Sequence, residues 1–316
     1  MSLAFIFPGQ GSQAVGMGKA LADASPAARA VFAEVDEALG QNLAKLIWEG
    51  PEADLTLTEN AQPALMAVSI AVIRMLEAEH GLKLQDIAKF VAGHSLGEYS
   101  ALAAAGTFSL ADAARLLKVR GRAMQAATPV GTGAMAALLG LDFADAVAIA
   151  EAAAQNEVCQ AANDNAPGQV VVSGHKAAVE RAVVLAKEKG AKRAVMLQVS
   201  APFHCALMQP AAEAMAQALA NTPMRPPMMP VFSNVLAAPL SDPEAIRKAL
   251  VAQVTGTVRW RESMAAMAAG GVKLFCEAGS GKVLSGLVKR TAPDAAGLSL
   301  GTPDDIAQNV AQLKQG

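Results

Sequence analysis

The sequence predicts an α/β protein: a large domain on a mostly parallel sheet, interrupted by a small inserted domain of ferredoxin-like order. Two observations carry that prediction. Apolar runs of strand length alternate with longer helical patterns along the 316 residues. Between Gly133 and Val199 the alternation becomes β-α-β-β-α-β, the order of a ferredoxin-like unit. The boundaries that follow are 1–128 and 199–316 for the large domain and 129–198 for the small one.

Each element has its own justification. Leu3–Phe7 is an unbroken apolar run of strand length. Gln62–Glu79 carries a long helical pattern, Lys89–Gly93 a strand and Leu96–Ala105 a helix. Ser109 and Asp112 make an S-x-x-D start for a helix that continues to about Ala127. The small unit reads as strand Ala134–Leu139, helix Phe143–Gln155 and strand Val158–Ala162. A turn at NDNAPG (163–168) follows, then strand Gln169–Ser173, helix Lys176–Lys189 and strand Arg193–Gln198. The large domain resumes with a helix near Leu207–Leu219 and strands near Pro230–Ser233, Val272–Glu277 and Gly297–Leu300. MRPPMMP (224–230) is a proline-stiffened connector.

Composition narrows the function classes. The chain is 53% hydrophobic and 17% charged, as in an ordinary helix-rich globular protein, and its net charge of −2 excludes a globally basic nucleic-acid binder. Cys159, Cys205 and Cys276 are odd in number and lack C-x-x-C spacing, so no disulfide framework or zinc site is expected and a reducing cytoplasm fits. The start MSLAFIFPGQG has no basic n-region, and Pro8-Gly9 cuts its apolar run, so no signal peptide is expected. Uncharged stretches such as Ala123–Leu141 contain Gln, Thr, Pro and Gly, and no membrane span is expected of them.

The chemistry concentrates in VAGHSLGEYSA (91–101). G-x-S-x-G between a strand and a helix is the nucleophile-elbow pattern: a turn so tight that neighbouring side chains must be very small, with the Ser95 hydroxyl exposed at a helix N-terminus. The backbone N–H of Leu96 is placed there to hold an oxyanion. A plain helix-capping serine is the alternative. A serine nucleophile needs a base, and the chain has four histidines. His94 adjoins the serine, where side chains diverge; His80 ends a helix and His175 starts one. His204, in SAPFHCA (200–206), remains. In the helix LADAARLLKVRGRAMQAA, Arg115, Lys118 and Arg122 share a stripe read as solvated, while Arg120 lies about 140–160° around the wheel among Ala113, Leu116, Leu117 and Met124. Such an arginine needs an anion: one of the protein's own carboxylates or that of a substrate, gripped by both arms of the guanidinium.

Two glycine loops compete for attention. Gly9-Gln-Gly11-Ser-Gln-Ala14 follows a strand and matches a dinucleotide fingerprint, but no acidic residue ends a second strand; a nucleotide-binding module is the non-enzyme alternative. Gly279-Ser-Gly-Lys282 lacks the first Gly and the Ser/Thr of a P-loop.

Taken together, FPGQGSQ (7–13), ENAQPAL (59–65), GHSLGEYSAL (93–102), VRGRAMQ (119–125), GTGAMAAL (131–138), NAPGQVVVSG (165–174), APFHCALM (201–208) and GKVLSGL (281–287) resemble the malonyl-CoA:acyl-carrier-protein transacylases of fatty-acid synthesis, nearly end to end. The resemblance implies a hydrolase-like large domain with a ferredoxin-like insert. It implies Ser95 as nucleophile, His204 as base and Arg120 as the grip on the malonyl carboxylate. Gln10 and Leu96 would supply oxyanion N–H groups, and the Gln253 carbonyl would orient the histidine. Phe203 would select malonyl over branched groups. It further implies no cofactor and no metal, with malonyl-CoA and acyl carrier protein as partners and neither nucleic acid nor a membrane among them; a cytoplasmic monomer is the expectation. A serine thioesterase on the same elbow is the runner-up enzyme. For an acidic carrier, Lys187, Lys189, Lys192 and Arg193 form one docking cluster. The chain departs from the family at Gly256-Thr-Val-Arg-Trp260, at Asn163-Asp-Asn165 and at AGSGK (278–282).

Overall fold

The computed structural model describes residues 2–315. Ten strands run β1 Leu3–Phe7, β2 Ala88–Gly93, β3 Gly133–Leu139, β4 Cys159–Ala166, β5 Gln169–His175, β6 Arg193–Met196, β7 Val231–Phe232, β8 Pro239–Leu240, β9 Leu274–Ala278 and β10 Ala296–Leu300. They form two sheets. The larger has the order β10-β9-β1-β2-β7-β8, parallel except for β8; the smaller is the antiparallel β4-β5-β3-β6. The predicted fold class, a mostly parallel α/β sheet with a separate antiparallel unit, is the one observed.

All five residues of β1 are fully buried, as an interior parallel strand covered on both faces requires. One apolar cluster packs helices such as Thr58–His80 and Leu110–Ala126 on one face of the large sheet; another, around Ile6, Phe232, Trp260 and Phe275, fills the opposite face. The small sheet carries its own core of Ala136, Leu138, Val170, Val172 and Val179. The helix Thr58–His80 is long and apolar enough to cross a membrane, but 83% of its most apolar window is buried inside the protein.

Several elements depart from the sequence reading. The long helix begins at Thr58, four residues early, and carries Pro63 in its interior. A proline there forgoes one i→i−4 bond, and tight packing on neighbouring helices offsets the loss. Helices Lys19–Ala24, Pro26–Leu39, Leu43–Glu49 and Glu52–Thr56 fill the stretch between β1 and the long helix. NDNAPG is not a turn: β4 continues through Ala166, with register shifts after Ala161 and Asp164, and only Pro167-Gly168 turn.

That extension has a partner. The Asp164 N–H donates to the Val258 carbonyl and the Val258 N–H to the Ala162 carbonyl, both at 2.9 Å. The buried Asp164 carboxylate accepts Arg261 Nε at 2.9–3.0 Å and Nη2 at 2.8 Å. The aspartate at the centre of the departing NDN triplet is therefore answered by an arginine from the segment that follows the other departure, GTVRW.

The glycine loop after β1 does not open a helix; the next one starts at Lys19, which removes the dinucleotide turn. At the other loop, the buried Glu277 carboxylate accepts Leu284 N–H, Ser285 N–H and the Ser285 hydroxyl. It fills the helix N-terminus that a P-loop would offer to phosphate.

Candidate active site

Parallel pairing of β1 with β2 sets Phe7 opposite Gly93, so Pro8–Gln10 and His94–Leu96 leave the sheet side by side. The chain then turns sharply. A Cβ on Gly93 would overlap the backbone of Gly97, and one on Gly97 would overlap the Phe7 carbonyl oxygen. The spacing of the two glycines is thus a steric requirement. Ser95, between them, has φ 54°. His204 has φ 58°. Each non-glycine residue held left-handed costs about 1–2 kcal/mol, and here both strained residues meet in one cleft.

Ser95 Oγ lies 2.8 Å from His204 Nε2, and His204 Nδ1 lies 2.9 Å from the Gln253 carbonyl oxygen. A carbonyl only accepts, so Nδ1 carries the proton and Nε2 presents its lone pair to the hydroxyl. Burial, aided by the nearby Arg120 charge, pushes the His204 pKa down to about 3, so the imidazole is neutral. His94 diverges as expected: its Nε2 pairs with Asn165 Oδ1 at 2.8 Å. His175 accepts the Val158 N–H, and His80 ends its helix.

Arg120 is 1% exposed. Its helix approaches Thr58–His80 so closely that a Cβ on Gly121 would sit 2.5 Å from Glu59 Cα. That approach sets Arg120 Nη1 2.9 Å from Gln62 Oε1; Nη2 reaches Gln253 Oε1 at 2.9 Å and Ser95 Oγ at 3.2 Å. The Tyr99 ring lies 5.6 Å from its Cζ. Among the described residues Arg120 forms no ion pair within 4 Å, so the structural salt bridge considered from sequence is absent. The helix wheel erred on Lys118, which is buried and donates to Glu59, Gln41 and Asn60. Its stripe faces a polar seam; solvent claims only Arg115 and Arg122.

These groups open into a cavity of about 210 Å³ lined by Gln10, Ser95, Arg120, Phe203 and His204, with Met124 and Met135 on its apolar side. Among the described residues, the backbone N–H groups of Leu96 and Gln10 meet no acceptor. The Gln10 side chain reaches Thr58 Oγ1 at 3.4 Å. All seven residues singled out from sequence therefore gather at one place: Gln10, Ser95, Leu96, Arg120, Phe203, His204 and Gln253.

Three further residues, unmarked in the sequence, complete the site. Asn234 Oδ1 accepts the Ser95 N–H at 2.7 Å while its Nδ2 donates to Gly93 O at 2.7 Å, bracing both sides of the turn. Gln62 holds Arg120, and Glu98 accepts Gln253 Nε2 at 2.7 Å and Asn234 N–H at 3.1 Å. Glu98 reads in sequence as an acid in a helix first turn, a sufficient local reason for its presence.

Residues 4–309 match the acyl transferase domain family. The malonyl CoA-acyl carrier protein transacylase of Escherichia coli (strain K12) is 47% identical over 304 residues, covering 96% of this chain and 97% of its own length. The crystal structure of an acyl-carrier-protein-S-malonyltransferase from Bartonella henselae superposes with a TM-score of 0.97 at 57% identity, covering 99% of this chain and 100% of that one. A malonyl-transacylase solved in complex with its type II PKS acyl-carrier protein superposes at 0.95 with 42% identity, covering 99% and 100%.

Proposed function

The chain belongs to the acyl transferase domain family, and from that premise we propose that it moves a malonyl group from coenzyme A to the phosphopantetheine thiol of acyl carrier protein in fatty-acid synthesis. One observation carries the reading: a serine activated by a neutral histidine shares its cavity with a buried arginine that has no carboxylate partner among the described residues. The first pair attacks an acyl carbon; the arginine asks for an acyl group that ends in an anion.

In the first half-reaction Ser95 Oγ attacks the thioester carbon while His204 Nε2 takes its proton. The carbonyl oxygen becomes an oxyanion between Leu96 N–H and Gln10 N–H, each such donor being worth about 3–4 kcal/mol. Collapse of the tetrahedral species breaks the C–S bond, and His204 returns the proton to the departing sulfur. In the second half-reaction the carrier thiol loses its proton to His204 and attacks the seryl ester, and Ser95 is regenerated. Nucleophile, base and oxyanion donors all come from the chain, so the proposal needs no metal or cofactor. Arg120 holds the free carboxylate throughout, and Phe203 limits the room beside it. A cytoplasmic monomer is part of the same proposal. The exposed Lys187, Lys189, Lys192 and Arg193 offer one face to an acidic carrier.

Intact-protein mass spectrometry after brief exposure to malonyl-CoA tests the reading. The mass should rise by one malonyl group on Ser95 and return on addition of carrier thiol; Ser95→Ala should gain nothing, and His204→Ala should turn over several powers of ten more slowly. Release of free malonate at one rate with or without acceptor would make the protein a thioesterase.

A further inference from the structure

We propose that Glu98 is the positioning residue that makes the site selective for an acyl group bearing a carboxylate. It touches neither substrate nor reacting atoms and acts through Gln253. The proposal rests on the malonyl reading above.

A glutamine side chain can present either end, and Gln253 is fully buried at a point where the choice matters. Its Oε1 faces Arg120 Nη2 at 2.9 Å. Its Nε2 faces the Glu98 carboxylate at 2.7 Å, the Ser95 carbonyl at 3.0 Å and Asn234 Oδ1 at 3.4 Å. Turned over, the amide would set N–H against guanidinium and oxygen against carboxylate, repulsive at both ends. Glu98, together with the Ser95 carbonyl, therefore fixes the orientation, and that orientation supplies one of the two glutamine oxygens holding Arg120; Gln62 supplies the other. Among the described residues no carboxylate is in contact with this buried guanidinium, so its pose depends on these neutral acceptors. Glu98 also accepts the Asn234 N–H, and Asn234 braces the Ser95 turn. Misplacement of Arg120 by an ångström loses the bidentate fit to a substrate carboxylate, whereas an acyl group without one has no such fit to lose.

Two conservative variants separate reach from charge. Glu98→Asp keeps the charge but stops one bond short, about 1.5 Å. Glu98→Gln gives up the charge but places an amide oxygen where both N–H groups can donate to it. The measurement is the ratio of kcat/KM for Ser95 acylation by malonyl-CoA over acetyl-CoA, with KM and kcat resolved. In Glu98→Asp the ratio should fall roughly tenfold or more, mainly through a higher KM for malonyl-CoA. In Glu98→Gln it should stay within about threefold of wild type. Should the aspartate variant not fold, Gln253→Ala cuts the same chain at its middle, and the ratio should fall likewise. An unmoved ratio in Glu98→Asp or in Gln253→Ala, or an equal loss on both donors, overturns the proposal; so does a glutamine variant as unselective as the aspartate one. Wild-type enzyme that is not malonylated at all sinks the parent reading instead.

Discussion

At the scale of residues, the site gathers buried ionisable groups with no direct salt bridge to Arg120 among the described residues. The His204 pKa, about 3, lies below the ordinary 6.5 because burial and Arg120 both oppose a second positive charge. Acylation of Ser95 should thus keep a level kcat/KM from pH 8 to about pH 5, and stopped-flow rates would reveal an acid limb centred near 6.5 were the base an ordinary histidine. The same shift bears on stability. Between pH 6.5 and 3 the unfolded chain binds a proton at His204 that the folded chain refuses, so this contribution is lost as pH falls through that window. Glu98, lifted to about 7 by burial, works the other way: its contribution is lost as pH rises from 4.5 through 7. Arg120→Ala should cost about 2–5 kcal/mol of transition-state stabilisation for malonyl-CoA, read from the kcat/KM ratio, with a much smaller effect on acetyl-CoA; comparable losses on both would reassign the arginine to structure. Ser95 and Arg120 were legible in sequence because each breaks a local rule, a serine between glycines and a cation on an apolar stripe. Glu98 and Asn234 break none. Their partners lie 155 and 136 residues away in the chain, and only the fold brings them together.

At the scale of elements, the elbow is the unit that matters. Gly97→Ala would drive a methyl into the Phe7 and Pro8 carbonyl oxygens, which are backbone and cannot rotate away. Destabilisation of at least about 2–3 kcal/mol should follow in urea unfolding, together with loss of malonyl labelling at Ser95. Native stability with full labelling would mean that the turn is looser than its geometry implies. Strand–turn–helix could be read here from periodicity and glycine spacing, since both act within a few residues. The start of the long helix could not, because Pro63 is tolerated only through packing that sequence does not display. Likewise β4 overran its expected end since its last residues pair with β5 and with Val258, the latter more than ninety residues on.

At the scale of the whole molecule, two sheets are joined beside the cleft. His94 reaches from the elbow to Asn165 on β4, and Asp164 on the same strand takes the fork of Arg261. Arg261→Ala would leave the Asp164 carboxylate, 1% exposed, without its cation. With Arg261 about a third exposed, the loss should be about 1–3 kcal/mol in thermal or denaturant unfolding, restored in part by Asp164→Asn in the same chain. No coupling between the two substitutions would leave the ion pair without a role in joining the sheets. The two-sheet architecture was legible from the change of rhythm at Gly133. The contact between the sheets was not, since an aspartate and an arginine 97 residues apart carry no mark of each other.

The carbonyl that steadies His204 and the N–H groups of Leu96 and Gln10 proposed as oxyanion donors belong to the peptide chain itself. An alanine scan would leave every one of those atoms in place. Such a survey would single out a handful of side chains and pass over half of the apparatus, which yields only to changes in the main chain: a proline that deletes a donor, or an ester put in place of an amide.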